Sequence, residues 1–297
     1  MTPTPDRAAG APRAPSVALR GSAAAGPDAA LAANRLVRAL AGLAAAGRKA
    51  LIPYIMAGDP DPPSTERLVG VLVAAGADAI ELGVPFSDPI ADGPVNQRAG
   101  LRALAHGMAL RPALDLVSRL RKRTQVPLAF MTYYNLLLRH GVGAFCRDAV
   151  AAGLDGIIVA DLPPEEGDEL IAEARQAGLA TVFLLAPTST EARIRAVAAA
   201  STGFIYCVSR TGVTGVRDEL PEGLAELVAR IKAQSGTPVC VGFGIGRPAQ
   251  ARQVARIADG AIVGSALVRM LEERPDDLGR VGALVRALRL AIDEGGA

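Results

Sequence analysis

Two carboxylates bracket a turn-rich stretch of this chain, Glu81-Leu-Gly-Val-Pro-Phe-Ser-Asp-Pro-Ile-Ala-Asp92-Gly-Pro94. The residues before Glu81 read as a buried strand, and a carboxylate at the end of an apolar strand is costly unless it has a partner or a task. A second carboxylate on the following loop completes the usual pair for general acid and base work. A single such residue is more often a cap or a salt-bridge partner than a catalyst; the pair on one loop is harder to dismiss. Further along, three glycine-bearing loops follow apolar runs: Ser209–Gly215, Gly242–Gly246 and Gly264-Ser265. Glycine lets backbone N–H groups converge closely on a ligand. Ser265 is placed to open a helix, where the amide, the hydroxyl and the helix dipole favour an anion. Together the three loops point to a phosphate. No Walker loop accompanies them, and the first apolar run carries no GxGxxG turn, so neither ATP nor NAD is implied. The loop at 209–215, with threonines at 211 and 214 and glycines at 212 and 215, also has the make-up of a closing lid.

The elements that must hold these residues are legible as alternation. Apolar runs at Ala50–Ile55, Ala79–Leu82, Pro127–Met131, Gly156–Val159, Ala180–Leu184, Phe204–Val208, Pro238–Val241 and Ala261–Val263 read as strands. They are continuous rather than alternating, the pattern of parallel strands buried on both faces. Helical periodicity fills the intervals, for example at Thr65–Ala75, Leu110–Arg121, Glu165–Ala177, Glu191–Ala199, Gly223–Ala233 and Pro248–Ala258, after a first helix at Ala29–Ala46. Ala-Gly-Ala-Asp-Ala-Ile at 75–80 is echoed by Ala-Gly-Leu-Asp-Gly-Ile at 152–157, a repeated helix-to-strand corner. The fold class expected is α/β, a (β/α)8 TIM barrel with an N-terminal helix; a doubly wound open sheet is the alternative. In a barrel, functional groups gather at the C-terminal ends of strands. Glu81, Asp92, Tyr133, Tyr134, Asn135 and Asp161 all fall there.

Composition narrows the classes. With 297 residues, 32 basic and 30 acidic side chains and a net charge of +2, the chain has no field suited to nucleic acid. No apolar run is long enough to span a membrane. Cys146, Cys207 and Cys240 lack metal-type spacing and read as buried hydrophobes of a reducing, cytoplasmic protein. His106 and His140 stand away from strand ends and read as solvated residues, so no metal site is expected. Lys49, Lys122 and Lys232, the only lysines, lie outside the positions a Schiff-base aldolase would need. Residues 1–28, rich in Ala, Pro and Gly, read as a disordered tail, and 29–297 as a single barrel domain.

From about residue 45 to about 275 the chain resembles the tryptophan synthase α subunit. The resemblance is carried by Pro53-Tyr54 with Gly58-Asp59-Pro60, the Glu81–Pro94 string, Met131–Asn135, Val159-Ala-Asp161, Tyr206 with Ser209–Gly215, Gly242–Ile245 and Gly264-Ser265, in the family's order. It implies a lyase that cleaves indole-3-glycerol phosphate to indole and glyceraldehyde 3-phosphate by a retro-aldol step in tryptophan biosynthesis. By the same resemblance Glu81 and Asp92 are the catalytic carboxylates, and Gly215, Gly244, Gly264 and Ser265 the phosphate-binding positions. Tyr54, Tyr133, Asp161, Tyr206 and Thr214 are then substrate-binding side chains. No cofactor is implied in this chain; pyridoxal phosphate belongs to a β subunit, with which an α2β2 heterotetramer is expected. Pro85, Asp88 and Asn135 would lie on loops facing that partner. Two positions depart from the family's pattern: Met56 where Thr is usual, and Asn96 where Ile is usual. The alternatives are a stand-alone indole-releasing lyase, a weakly catalytic barrel that activates a β partner, and another phosphate-binding barrel enzyme such as a sugar-phosphate aldolase or isomerase.

Overall fold

The structure, a computed structural model, describes residues 27–208, 222–242 and 244–296. Eight strands, β1 (Ala50–Met56), β2 (Ile80–Gly83), β3 (Leu128–Thr132), β4 (Gly156–Val159), β5 (Ala180–Leu185), β6 (Ile205–Val208), β7 (Val239–Gly242) and β8 (Gly260–Val263), close into a barrel in sequence order. Every pairing is parallel, and β8 returns to β1 through Ala50–Gly260 to Pro53–Val263. Closure excludes the open doubly wound sheet. The strands are buried almost throughout, which is why they read as unbroken apolar runs.

Period-two alternation sorts each strand into an inner and an outer face. Ala50, Ile52, Ala79, Ala129, Ile158, Ala180, Val182, Phe204, Tyr206, Cys240 and Ile262 form one buried cluster inside the barrel. Leu36 and Leu40, from the helix Arg35–Ala45, join it and plug the N-terminal mouth. Gly156 and Gly203 leave the room Leu36 needs: a Cβ on either would lie 2.9 or 3.3 Å from its Cδ2. The larger cluster fills the layer between sheet and helices.

The single N-terminal helix expected at 29–46 is instead two, Pro27–Ala32 and Arg35–Ala45. Asn34 divides them. Its Oδ1 accepts from the backbone N–H of Leu36 and Val37, while its Nδ2 donates to the carbonyls of Asp155 and Gly178. An N-cap of this kind has extended backbone and cannot sit inside a helix. The first helix starts at Pro27, within the expected tail; residues 1–26 lie outside the described residues. The span read as one helix at Glu165–Ala177 is a short 3-10 turn, Pro164–Glu166, and the helix Asp168–Ala177, separated at Gly167. Among the described residues no helix is long and apolar enough to cross a membrane.

Candidate active site

The C-terminal rim of the barrel gathers most of the candidate residues. Glu81 is the second residue of β2, on the inward face, with Tyr54 of β1 as its register partner. It is 1% exposed, and neither carboxyl oxygen has a hydrogen-bond partner among the described residues. Burial, and then the nearby charge of Asp92, push its pKa up to about 8. Desolvation penalises the charged form and a like charge penalises it again. At neutral pH Glu81 is therefore a neutral acid.

Asp92 is raised by burial too, but unlike Glu81 it has partners. It stands just before the helix Pro94–Ala105, at the end of the Pro/Gly-rich loop. The Tyr133 hydroxyl donates to Asp92 Oδ2 at 2.8 Å, and Asn96 Nδ2 donates to Oδ1 at 3.4 Å. Burial raises the Asp92 carboxyl above its ordinary value, and these two donors pull it back. Tyr133 also accepts from the N–H of Ala91 at 3.1 Å and packs on Phe86, so one buried ring fixes the loop that carries Asp92. The helix behind that loop is anchored by charge. Arg102 makes a two-pronged pair with buried Asp59 at 2.7 and 3.0 Å, and Arg102 and Arg98 both hold Glu272. The arrangement ties the helix to the loop after β1 and to the helix Ser265–Glu273.

Asp92 and Asn96 open onto a cavity of about 660 Å³, mouth included, shared with Tyr54, Tyr206, Met131, Ile262, Gly244, Gly264 and Ser265. Sites for small ligands mix apolar walls with few polar groups in this way. Burial holds the hydroxyls of Tyr54 and Tyr206 protonated, and the nearby charge of Asp92 adds to the effect on both.

Two of the three glycine loops meet in this cavity. Gly264 precedes the helix Ser265–Glu273, so Ser265 is its first residue and its N–H is one of the free donors of the first turn. Gly244 adopts a positive φ of 86°, open to glycine. Buried Gln250 organises this loop by accepting from the N–H of Gly246 and Arg247 and donating to the Gly244 carbonyl. Gly215, Thr214 and the rest of the loop 209–215 lie outside the described residues.

Asp161 does not join the cavity. Its side chain is exposed and accepts from the N–H of Tyr134, capping the helix Tyr134–His140. Met56 is buried at the end of β1, its Cε near Gly100 of the helix Pro94–Ala105. Asp88 and Asn135 are exposed, but Pro85 is buried and Asn135 lies on a helix rather than a loop. His140 pairs with Asp148 at 2.9 Å and is mostly covered rather than solvated. All three cysteines are buried and free.

The role that the sequence pattern passed over is that of Gly83 and Gly242 in clearing space for the tyrosines. A Cβ on Gly83 would lie 2.8 Å from Tyr54 Cζ, and one on Gly242 would lie 2.7 Å from Tyr206 Cζ. Their lack of a side chain is what lets two tyrosines lie across the barrel mouth. The available signal was a glycine ending an otherwise apolar strand, which marks a close approach.

A closed parallel barrel with a donor-held aspartate and two glycine turns on one cavity, and a buried glutamic acid of raised pKa behind its Tyr54 wall, defines a (β/α)8-barrel protein built for acid/base chemistry. Residues 40–289 match the family model described as tryptophan synthase alpha chain. The tryptophan synthase alpha chain of Geobacter sulfurreducens is 51% identical over 261 residues, covering 87% of this chain and 99% of that one. A tryptophan synthase subunit alpha from Legionella pneumophila superposes with a TM-score of 0.81 at 41% identity, covering 88% of this chain and 99% of the other. A Mycobacterium tuberculosis tryptophan synthase chain gives 0.81 at 43% identity over 88% and 98%. The chain belongs to the tryptophan synthase alpha chain family.

Proposed function

We propose that Glu81 and Asp92 carry out the carbon–carbon lyase reaction of this family, releasing indole and glyceraldehyde 3-phosphate from indole-3-glycerol phosphate for tryptophan biosynthesis. The observation that supports it most strongly is the contrast between the two carboxyls at one rim: Glu81, buried without a partner behind the Tyr54 wall, and Asp92, held by two donors on the cavity itself.

Cleaving the bond between indole C3 and the glycerol chain needs an electron sink. Protonation of C3 by Glu81 makes the ring an indolenine cation. The Asp92 carboxylate accepts a hydrogen bond from the ring N–H, whose acidity rises as that cation forms. The contact therefore strengthens toward the transition state, which is what accelerates a step. Glu81, now ionised, takes the proton from the hydroxyl next to the breaking bond; the carbonyl forms and the bonding pair returns to the ring. Contact with the ring requires the Glu81 carboxyl to swing from its covered position toward the wall made by Tyr54 and Tyr206. General acid catalysis of this kind contributes roughly 10²–10⁴ in rate.

The phosphate sits at Gly244, Gly264 and Ser265, against free N–H groups and the positive end of the helix Ser265–Glu273. Gly215 and Thr214 complete the binding and closing loop. The reaction needs no cofactor in this chain. The partner is a tryptophan synthase β subunit, which receives the indole and carries pyridoxal phosphate. Buried, unpaired cysteines fit a reducing compartment, and we place the protein in the cytoplasm.

The test is release of both products from indole-3-glycerol phosphate by the purified chain, alone and with a β subunit. Slow release that rises sharply with the β subunit supports the reading. Fast release by the chain alone makes it a stand-alone lyase. No release in either mixture by folded protein, with a cognate β subunit, rejects the lyase reading.

A further inference from the structure

We propose that Asn96 is a positioning residue for Asp92, its amide and the Tyr133 hydroxyl together fixing the direction in which the carboxylate faces the cavity. The inference rests on the role given to Asp92 above.

Asn96 is the third residue of the helix Pro94–Ala105 and lies four positions after Asp92. A helical side chain leans back toward the N-terminus, so this spacing returns the amide to the residue just outside the first turn. Nδ2 donates to Oδ1 of Asp92, while Tyr133, from the end of β3, donates to Oδ2. Each carboxylate oxygen thus has one donor, and the two donors come from different elements. Two such points fix the plane of the group, where one would leave it free to rotate. The next residue completes the clasp: Gln97 Nε2 donates to the Asp92 carbonyl at 2.9 Å, and the Asp92 N–H donates to the Pro89 carbonyl at 3.1 Å. The reversed amide would set its own oxygen against a carboxylate, so the assignment of Nδ2 follows from the chemistry.

The other half of the amide tells against a packing role. Asn96 Oδ1 is buried and has no partner among the described residues. An unsatisfied buried carbonyl is a net cost to the fold. What the side chain gains is the contact with Asp92. The titratable groups coupled to Asp92 are Glu81 on β2, Tyr54 on β1, Tyr133 after β3 and Tyr206 on β6. The groups that favour its ionised form are the neutral donors Tyr133 and Asn96. Removing either leaves the carboxylate half-held and less readily ionised.

The experiment compares Asn96→Leu, matched in size and without a donor, with Asn96→Gln, which keeps the amide. Each full-length variant is assayed for indole release from indole-3-glycerol phosphate between about pH 5 and 9, separating kcat from KM. The acidic limb of kcat should move up by about half a pH unit or more in Asn96→Leu. At pH 7 kcat should fall by about three- to tenfold with KM changed less than about twofold. Asn96→Gln should recover part of the loss. The thermal midpoint of Asn96→Leu should equal or exceed the wild type, since the unpaired oxygen is gone. In an Asp92→Asn background, Asn96→Leu should change nothing further. If Asp92→Asn removes the acidic limb and Asn96→Leu leaves it where it was, the inference fails alone. If Asp92→Asn keeps the wild-type profile, the role of Asp92 fails and the inference with it.

Discussion

Tyr133 reaches from the end of β3 to the loop after β2 and donates its hydroxyl to Asp92 at 2.8 Å, while its oxygen accepts from the N–H of Ala91. A single phenol thereby holds both the backbone and the carboxylate of the loop after β2. Tyr133→Phe keeps the ring on Phe86 and removes both bonds. The acidic limb of the pH–rate profile should move up, because the lost donor favoured the ionised carboxylate. A hydrogen bond to a charged group is worth about 1.5–3 kcal/mol, so a loss of about 10- to 100-fold at neutral pH is expected. A profile and rate equal to the wild type would show that Asp92 is placed by something else.

Glu81 should make the fold sensitive to alkali. Its folded pKa of about 8 lies above the ordinary carboxyl value of 4.5. Between those values the folded state keeps a proton that the unfolded chain has lost. Stability from this group is therefore full below about pH 4.5 and is lost as pH rises to about 8. Glu81→Gln removes the dependence. It should unfold with the wild type near pH 4 and be more stable by about 2–4 kcal/mol near pH 8.5, read from denaturant midpoints. A constant difference across that range would mean Glu81 is not a neutral acid in the folded protein.

Arg102 holds the helix that carries Asn96 against the loop after β1. Its partner Asp59 is 2% exposed, so a substitution that removes the guanidinium strands a buried charge. Arg102→Leu should cost about 2–3 kcal/mol by chemical denaturation. Arg98→Leu, which loses an exposed contact to Glu272, should cost less than about 1 kcal/mol.

Gly83→Ala should disturb Tyr54, since the added methyl would lie 2.8 Å from its Cζ. Overpacking of this sort costs about 1–3 kcal/mol, and the displaced phenol should slow indole release as well. Gly70→Ala is the control. It lies exposed on the helix Pro62–Ala74 with nothing within 4 Å, and should stabilise by about 0.5–1 kcal/mol. Equal effects of the two would remove the claim that Gly83 clears space.

The barrel was legible because each strand is apolar on both faces. Fully buried parallel strands leave little room for polar residues, so Gly156–Val159 begins and ends where its composition says. Glu81 and Asp92 stood out for the same reason, as charges at the edge of apolar runs. Asn34 hid in an Ala/Leu-rich stretch because its capping partners Asp155 and Gly178 are distant in sequence. Asp161 sits at a strand end as a catalytic group would, yet its carboxylate caps a neighbouring helix; strand-end polarity serves both purposes equally. Asn96 drew notice only as a departure from the family's pattern. Its tie to Asp92 depends on where a helix begins, which Gly93-Pro94 marks but does not orient.

The most direct test of the acid/base assignment is single-turnover indole release by Glu81→Gln and Asp92→Asn, with substrate saturating and a β subunit present. Glutamine keeps the shape of Glu81 and cannot protonate C3. The expected result is a loss of at least about 10³-fold in Glu81→Gln with substrate affinity within about threefold of the wild type, and a smaller loss in Asp92→Asn, which retains an acceptor. Release by Glu81→Gln within about tenfold of the wild-type rate would contradict the assignment and send the search for the proton donor elsewhere on the rim.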